Sequence, residues 1–210
     1  MRLKLALLFI LFSFTPFCAF AQAGPAIIVL GDSLSAAYGM EIGQSWPSLL
    51  QERLTENGYA YRVFNSSITG DTTQGGLARL PRLLDKHQPG IVILELGGND
   101  GMRGLPIEVT RQNLSSMIER SQSAGATVIL AEMRIPPNYG RTYTEKFNSM
   151  FTTLTEQYGI SLLPFLLQDI ALEPGLMQAD GIHPTDQAQP LILEQVWVIV
   201  QPFLQATGLD

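Results

Sequence analysis

The chain has 210 residues, 46% of them hydrophobic and 15% charged, with a formal net charge of −6. That length is one domain, and the apolar content excludes disordered, collagen-like and low-complexity chains. The acidic balance argues against a nucleic-acid binder, while one cysteine and only His87 and His183 leave no intramolecular disulfide and no multi-histidine metal cage.

Residues 1–21 read as a secretory leader. Arg2 and Lys4 supply a positive start, residues 5–12 an unbroken apolar run, and Ala19-Phe20-Ala21 a small-residue cleavage site, with a second one after Ala23. The run falls short of the roughly 20 residues a spanning helix needs, and Pro16 interrupts its extension, so a retained anchor is the weaker reading. A lipid anchor at Cys18 is disfavoured because Thr15-Pro16-Phe17 lacks the small residue such cleavage wants. Cleavage leaves a single domain over residues 22–210. It is more acidic and free of thiols, which suits a periplasmic or secreted protein in an oxidising compartment.

The exported part alternates short β-rich runs with amphipathic stretches. Residues 26–30 predict the first strand, 61–64 the second, 91–96 the third, 127–131 the fourth and 161–163 a weak fifth. These runs are continuously apolar, as strands buried on both faces are. Between them, Trp46, Leu49, Leu50 and Leu54 stripe one helix, with Ser45 as its N-cap and Gly58 past its end. Leu77, Leu80 and Leu84 stripe a second helix, and Leu114, Met117 and Ile118 a third, stopped by Gly125. Tyr143, Phe147, Met150, Phe151, Leu154 and Tyr158 stripe a fourth, stopped by Gly159, and residues 191–204 form a last helix. The alternation predicts an α/β domain: a three-layer α/β/α, flavodoxin-like fold around a mainly five-stranded parallel sheet.

In such a sheet ligands bind beyond the carboxyl ends of the strands. Gly31-Asp32-Ser33 follows the first predicted strand, Gly70-Asp71 the second, Gly97-Gly98-Asn99-Asp100 the third, and Asp180-Gly181-Ile182-His183 precedes the last helix. Asp180 stands three residues before His183, with Gly181 permitting a tight turn. Its carboxylate can then hold one imidazole nitrogen and leave the other outward as a general base for a hydroxyl. Ser33 is the nucleophile candidate; the plainer alternative is that Asp32 and Ser33 merely end a strand. Gly70 can offer a backbone N–H and Asn99 a side-chain amide to an oxyanion. His87, near a helix end, reads as a cap or a solvent-facing residue.

The ordered set Gly31-Asp32-Ser33-Leu34, Gly70, Gly97-Gly98-Asn99-Asp100 and Asp180-x-x-His183 resembles the four blocks of the SGNH (GDSL) hydrolase family. Residues 75–81 and 135–140 are similar to segments of its bacterial periplasmic thioesterase/lysophospholipase-like esterase branch. The resemblance implies Ser33 as nucleophile, His183 as base and Asp180 as its orienter, with the Ser33 and Gly70 N–H groups and the Asn99 amide as the oxyanion hole. It implies no cofactor and no metal. Its expected substrates are acyl-CoA thioesters, lysophospholipids and aryl or alkyl esters, hydrolysed through an acyl-enzyme. No Gly-x-Ser-x-Gly surrounds Ser33, unlike an α/β-hydrolase elbow.

Further readings stand beside this one. A carbohydrate (acetyl) esterase of the same superfamily is the runner-up. A metal-dependent phosphoesterase drawing on Asp32, Asn99, Asp100, Asp180 and His183 would use more imidazoles than the chain holds. A binding protein without chemistry would leave the oxyanion donors unexplained. Leu105, Ile107 and Ile135 either line an acyl groove or pack the core, and the glycines between Thr72 and Leu80 would allow that stretch to move. The expected partner is a small acyl ester or thioester. No nucleic acid and no stable membrane insertion are expected, and the protein is expected to be a monomer.

Overall fold

The computed structural model describes residues 24–205. The leader, its cleavage sites and Cys18 lie outside the described residues. Five parallel strands, β1 (Ala26–Gly31), β2 (Arg62–Asn65), β3 (Pro89–Glu95), β4 (Thr127–Ala131) and β5 (Ser161–Leu163), pair in the order β2-β1-β3-β4-β5. The helices are α1 (Trp46–Glu56), α2 (Thr73–His87), a short α3 (Gly98–Met102), α4 (Ile107–Ser123), α5 (Arg141–Tyr158) and α6 (Gln189–Val200).

Strand alternation sorts the core into two faces. Ile27, Val29, Ile91, Ile93 and Ile129 point one way and pack on Trp46, Leu50 and Leu54 of α1 and Ile192 and Val196 of α6. Ile28, Leu30, Val92, Leu94 and Leu130 point the other way and pack on Leu80 of α2, Leu114 and Met117 of α4, and Phe147 and Phe151 of α5. A side-chain period of two in a strand requires this division. The result is the predicted three-layer arrangement.

Several local expectations are corrected. The second strand is not buried on both faces: as the sheet edge, its residues are partly or fully exposed. Ser45 occupies the N-cap of α1, but its hydroxyl donates to the Ile42 carbonyl (2.7 Å) rather than accepting from the helix. The last helix ends at Val200 and passes into a 3₁₀ turn, Gln201–Phe203. Pro202 accounts for this, since it has no N–H to continue the ladder. Gly75 and Gly76 lie inside α2, which is capped by Thr72, rather than in a loop. Their smallness serves packing: a Cβ on Gly76 would stand 2.2 Å from Leu96 Cδ1.

The strand order positions the site. The chain leaves β1 toward β2 and then crosses back to β3, so the loops after β1 and β3 diverge and open a crevice at the carboxyl edge. Both loops are the Gly/Asp/Asn/Ser-rich segments singled out above. His87 ends α2, just before β3 begins, and so sits at the opposite edge. There it packs on the Phe64 ring (4.0 Å between centroids), and burial pushes its pKa down.

Candidate active site

Ser33 stands two residues beyond β1, half-buried, in a turn closed by Ser35 N–H and Ala36 N–H on the Asp32 carbonyl. His183 reaches it from a hairpin-like loop far along the chain. In that loop Met177 and Pro184 form an antiparallel bridge, and the Gln178 N–H donates to the His183 carbonyl (2.8 Å). His183 Nε2 lies 2.9 Å from Ser33 Oγ, and Nδ1 lies 2.7 Å from Asp180 Oδ2. The other Asp180 oxygen accepts the N–H groups of Ile182 (2.9 Å) and His183 (3.0 Å), which locks the carboxylate against its own turn. The imidazole contact and these two N–H groups hold the Asp180 pKa down at about 2. An ionised Asp180 places the imidazole proton on Nδ1 and leaves Nε2 as the acceptor for the serine hydroxyl.

The expected oxyanion donors come from separate elements. Asn99 lies in α3, where Gly97 takes φ +119°, a left-handed conformation that favours glycine, and so turns the chain from strand to helix. Its amide donates one hydrogen to Asp32 Oδ2 (2.9 Å) and keeps a second. Gly70 (φ +77°) sits in the loop after β2, which is tied to β1 by Ile68 N–H on the Gly31 carbonyl (3.0 Å). Arg103 donates to the Gly70 carbonyl (2.9 Å) and Arg79 to the Ser66 carbonyl (2.7 Å). Among the described residues the Ser33 and Gly70 N–H groups have no hydrogen-bond partner. Asp100, drawn above as a possible metal ligand, is turned away: it is buried and accepts from the Thr73 N–H (2.9 Å) and hydroxyl, joining α3 to the start of α2.

A cleft of about 440 Å³ opens beside Ser33, lined by Met102, Met133, Ile135, Phe165, Leu167 and Met177 among others. Of the residues weighed for an acyl groove, Ile135 is on its wall, whereas Ile107 packs into the core and Leu105 lies outside the lining.

Some contacts of the site had no place in the sequence reading. Tyr38 lies over the His183 ring, 4.1 Å between centroids, and is presented from a non-glycine residue in the left-handed region, Ala37 (φ 60°). Such a conformation costs of order 1 kcal/mol or more and persists only where neighbours enforce it. Here Gln178 enforces it, donating to both the Tyr38 and Pro184 carbonyls (2.9 Å each). Asp32 and Glu95 are buried together beneath the serine turn. The Asp32 side chain accepts the Leu34 N–H (3.1 Å) as well as Asn99. Glu95 Oε2 accepts the Asp32 N–H (3.2 Å) and the Ser35 hydroxyl (2.6 Å). Burial raises both carboxyl pKa values, and the charge of Asp32 raises that of Glu95 further. A glutamate ending an otherwise apolar strand was the available signal for this buried pair.

The chain is 48% identical over 182 residues to esterase TesA of Pseudomonas aeruginosa, covering 87% of this chain and 90% of that protein. It is 43% identical over 184 residues to thioesterase 1/protease 1/lysophospholipase L1 of Escherichia coli K12, covering 88% and 87% of the two. The crystal structure of the psychrotrophic esterase EstA from Pseudoalteromonas sp., inhibited by monoethylphosphonate, superposes with a TM-score of 0.82 at 40% identity, covering 85% of this chain and 97% of that one. The model of GDSL-like lipases and acylhydrolases matches residues 29–190, so the chain belongs to that family.

Proposed function

We propose that this protein hydrolyses carboxylic esters and thioesters through an acyl-enzyme on Ser33, with His183 as base and Asp180 as its orienter. The observation that carries the reading is the continuous contact from Asp180 Oδ2 through the His183 ring to Ser33 Oγ, at 2.7 and 2.9 Å. Ser33 Oγ attacks the acyl carbonyl while His183 Nε2 takes its proton. The tetrahedral oxyanion is held by the Ser33 and Gly70 N–H groups and the free amide hydrogen of Asn99. On collapse the C–O or C–S bond breaks, and the leaving alcohol or thiol takes the proton from His183. Water then attacks the acyl-Ser33 ester, again giving its proton to His183; the bond from the acyl carbon to Ser33 Oγ breaks, Oγ takes the proton back from His183, and the acid is released. The chemistry is supplied by these side chains without a cofactor or metal.

The apolar lining of the cleft supports an acyl chain rather than an acetyl group. Each buried methylene contributes about 0.8 kcal/mol, so three more than acetyl favour the longer ester by roughly fifty-fold. The sugar-acetyl reading requires the reverse order. The relatives named as an esterase and as a thioesterase and lysophospholipase support the ester and thioester class. The protein acts on small acyl substrates as a monomer, without nucleic acid, after export to the periplasm or beyond and removal of its leader. Among the described residues no helix is long and apolar enough to cross a membrane.

Fluorophosphonate treatment followed by intact mass and peptide mapping tests the nucleophile. One adduct on Ser33, absent in Ser33→Ala together with turnover, is expected; an adduct elsewhere, or an active Ser33→Ala variant, overturns the assignment. A series of p-nitrophenyl esters and acyl thioesters tests the substrate class, with octanoyl expected above acetyl in kcat/KM.

A further inference from the structure

Of the buried carboxyl groups that the proposed reaction does not use, Asp32, Glu95 and Asp100, Glu95 is the most deeply buried. Glu95 ends β3 in the middle of the sheet, opposite Gly31 in register, and has no exposed surface. Neither its contacts nor the cleft lining bring it to Ser33. A carboxyl group there destabilises the fold relative to an apolar side chain, the more so because its Oε1 has no hydrogen-bond partner among the described residues.

The two bonds it does make are specific. They end on the Asp32 N–H and the Ser35 hydroxyl, so they grip the turn on both sides of Ser33. The grip is close because residue 31 is glycine: a Cβ there would stand 2.3 Å from Glu95 Oε2 and 3.0 Å from Ser35 Oγ. Ser35 is itself fully buried, and its carbonyl accepts the Asn65 amide (2.7 Å), which fastens the far side of the turn to the end of β2. From the same turn the Asp32 carboxylate reaches across to the Asn99 amide. The position of the nucleophile and of one oxyanion donor therefore both trace back to where Glu95 holds residues 32 and 35.

We infer that Glu95 is a positioning residue for this hydrolase, holding the Asp32–Ser35 turn from below and, through Asp32, the Asn99 amide. The inference rests on Ser33 being the nucleophile. Glu95 does this work as the neutral acid. Asp32, with two donors on its carboxylate, carries the negative charge of the pair. A second anion beside it would be opposed by both burial and repulsion. Oε2 then serves as the accepting carbonyl oxygen, and the unpartnered Oε1 carries the proton.

Glu95→Gln and Glu95→Leu separate positioning from bulk stability. The amide keeps a carbonyl acceptor for both bonds, so Glu95→Gln should retain kcat within about threefold. Leucine suits the apolar strand end and should keep or raise Tm, but it releases the turn. A loss in kcat on the order of 10²-fold is expected, with KM within about threefold and an equally slowed fluorophosphonate reaction at Ser33. A folded Leu variant with kcat within about threefold of wild type overturns the inference, as does a Gln variant no better than the Leu variant. If the Leu variant does not fold, Ser35→Ala carries the test: a loss in kcat beyond about threefold supports the inference and a smaller one overturns it. Labelling of the wild type keeps the levels apart. No adduct at Ser33 sinks the hydrolase reading itself. An adduct formed at the wild-type rate in the Leu variant sinks only the role of Glu95.

Discussion

Asp180 and Glu95 carry the same functional group into opposite surroundings. Asp180 lies on the loop side of the cleft with 38% of its side chain exposed, and it accepts three hydrogen bonds from the residues just after it. Those donors favour the anion and drive its pKa down. Glu95 lies on the sheet side with no exposure, faces a second carboxyl, and is driven up. In the proposed mechanism the loop acid is useful as a charge that fixes the tautomer of His183. On the proposed reading the sheet acid is useful as a shaped acceptor, because burial and the neighbouring Asp32 carboxyl oppose its charge more than its two donors favour it. Local hydrogen-bond donors and burial, not residue type, assign the two roles.

The most severe way to break this comparison is to make the same isosteric change on both sides. Asp180→Asn removes the charge but not the shape. With an amide facing Nδ1 the imidazole no longer prefers the tautomer that accepts from Ser33, so kcat should fall on the order of 10³-fold. Glu95→Gln, the matching change below, should be nearly silent. Steady-state hydrolysis of a p-nitrophenyl ester by both variants checks the contrast. An Asp180→Asn variant within about tenfold of wild type would mean that Asp180 contributes shape rather than charge.

Asn99→Ala cuts the link between the buried pair and the cleft. Because the amide would act only on the oxyanion, kcat should drop about 10²–10³-fold with little change in KM. A variant within about threefold of wild type removes Asn99 from the oxyanion hole and leaves its bond to Asp32 as a structural tie alone.

What was legible in the sequence follows from how local each signal is. The parallel sheet could be read because strands buried on both faces are continuous apolar runs, and 127–131 and 161–163 coincide with β4 and β5. The edge strand β2 was misread as buried because its hydropathy does not reveal its place in the order. Ser33, Gly70 and Asn99 could be proposed for the site because their short motifs follow β1, β2 and β3, and Asp180 and His183 because their contact is confined to one turn ahead of α6. Glu95 offered only its place at the end of an apolar strand, and Tyr38 no signal, because their meaning lies in contacts with Asp32, 63 residues away, and with His183 far along the chain. The packing of the glycines of 75–76 was hidden for the same reason. Glycine signals freedom when read alone, but here it signals close approach to Leu96.

The smallest effect expected is in stability, and it sharpens the comparison without reference to activity. Glu95 has a folded pKa above its ordinary value of 4.5. Above that pH the unfolded chain releases the proton while the folded protein keeps it. Its contribution to stability is therefore fully present below about 4.5 and is lost as pH rises toward the folded value, by at most about 1.4 kcal/mol per unit. Asp32 is raised too and acts with the same sign. Asp180 is lowered, so its contribution is lost only as pH falls below 3.8 toward about 2, and it is constant across neutral pH. Urea unfolding of wild type and Glu95→Gln from pH 5 to 8 isolates the sheet acid, since the groups common to both proteins largely cancel in the difference. The Gln variant should gain on wild type as pH rises. A difference that stays flat would mean that Glu95 is ionised in the folded protein, and the two acids of this site would then be alike in charge after all.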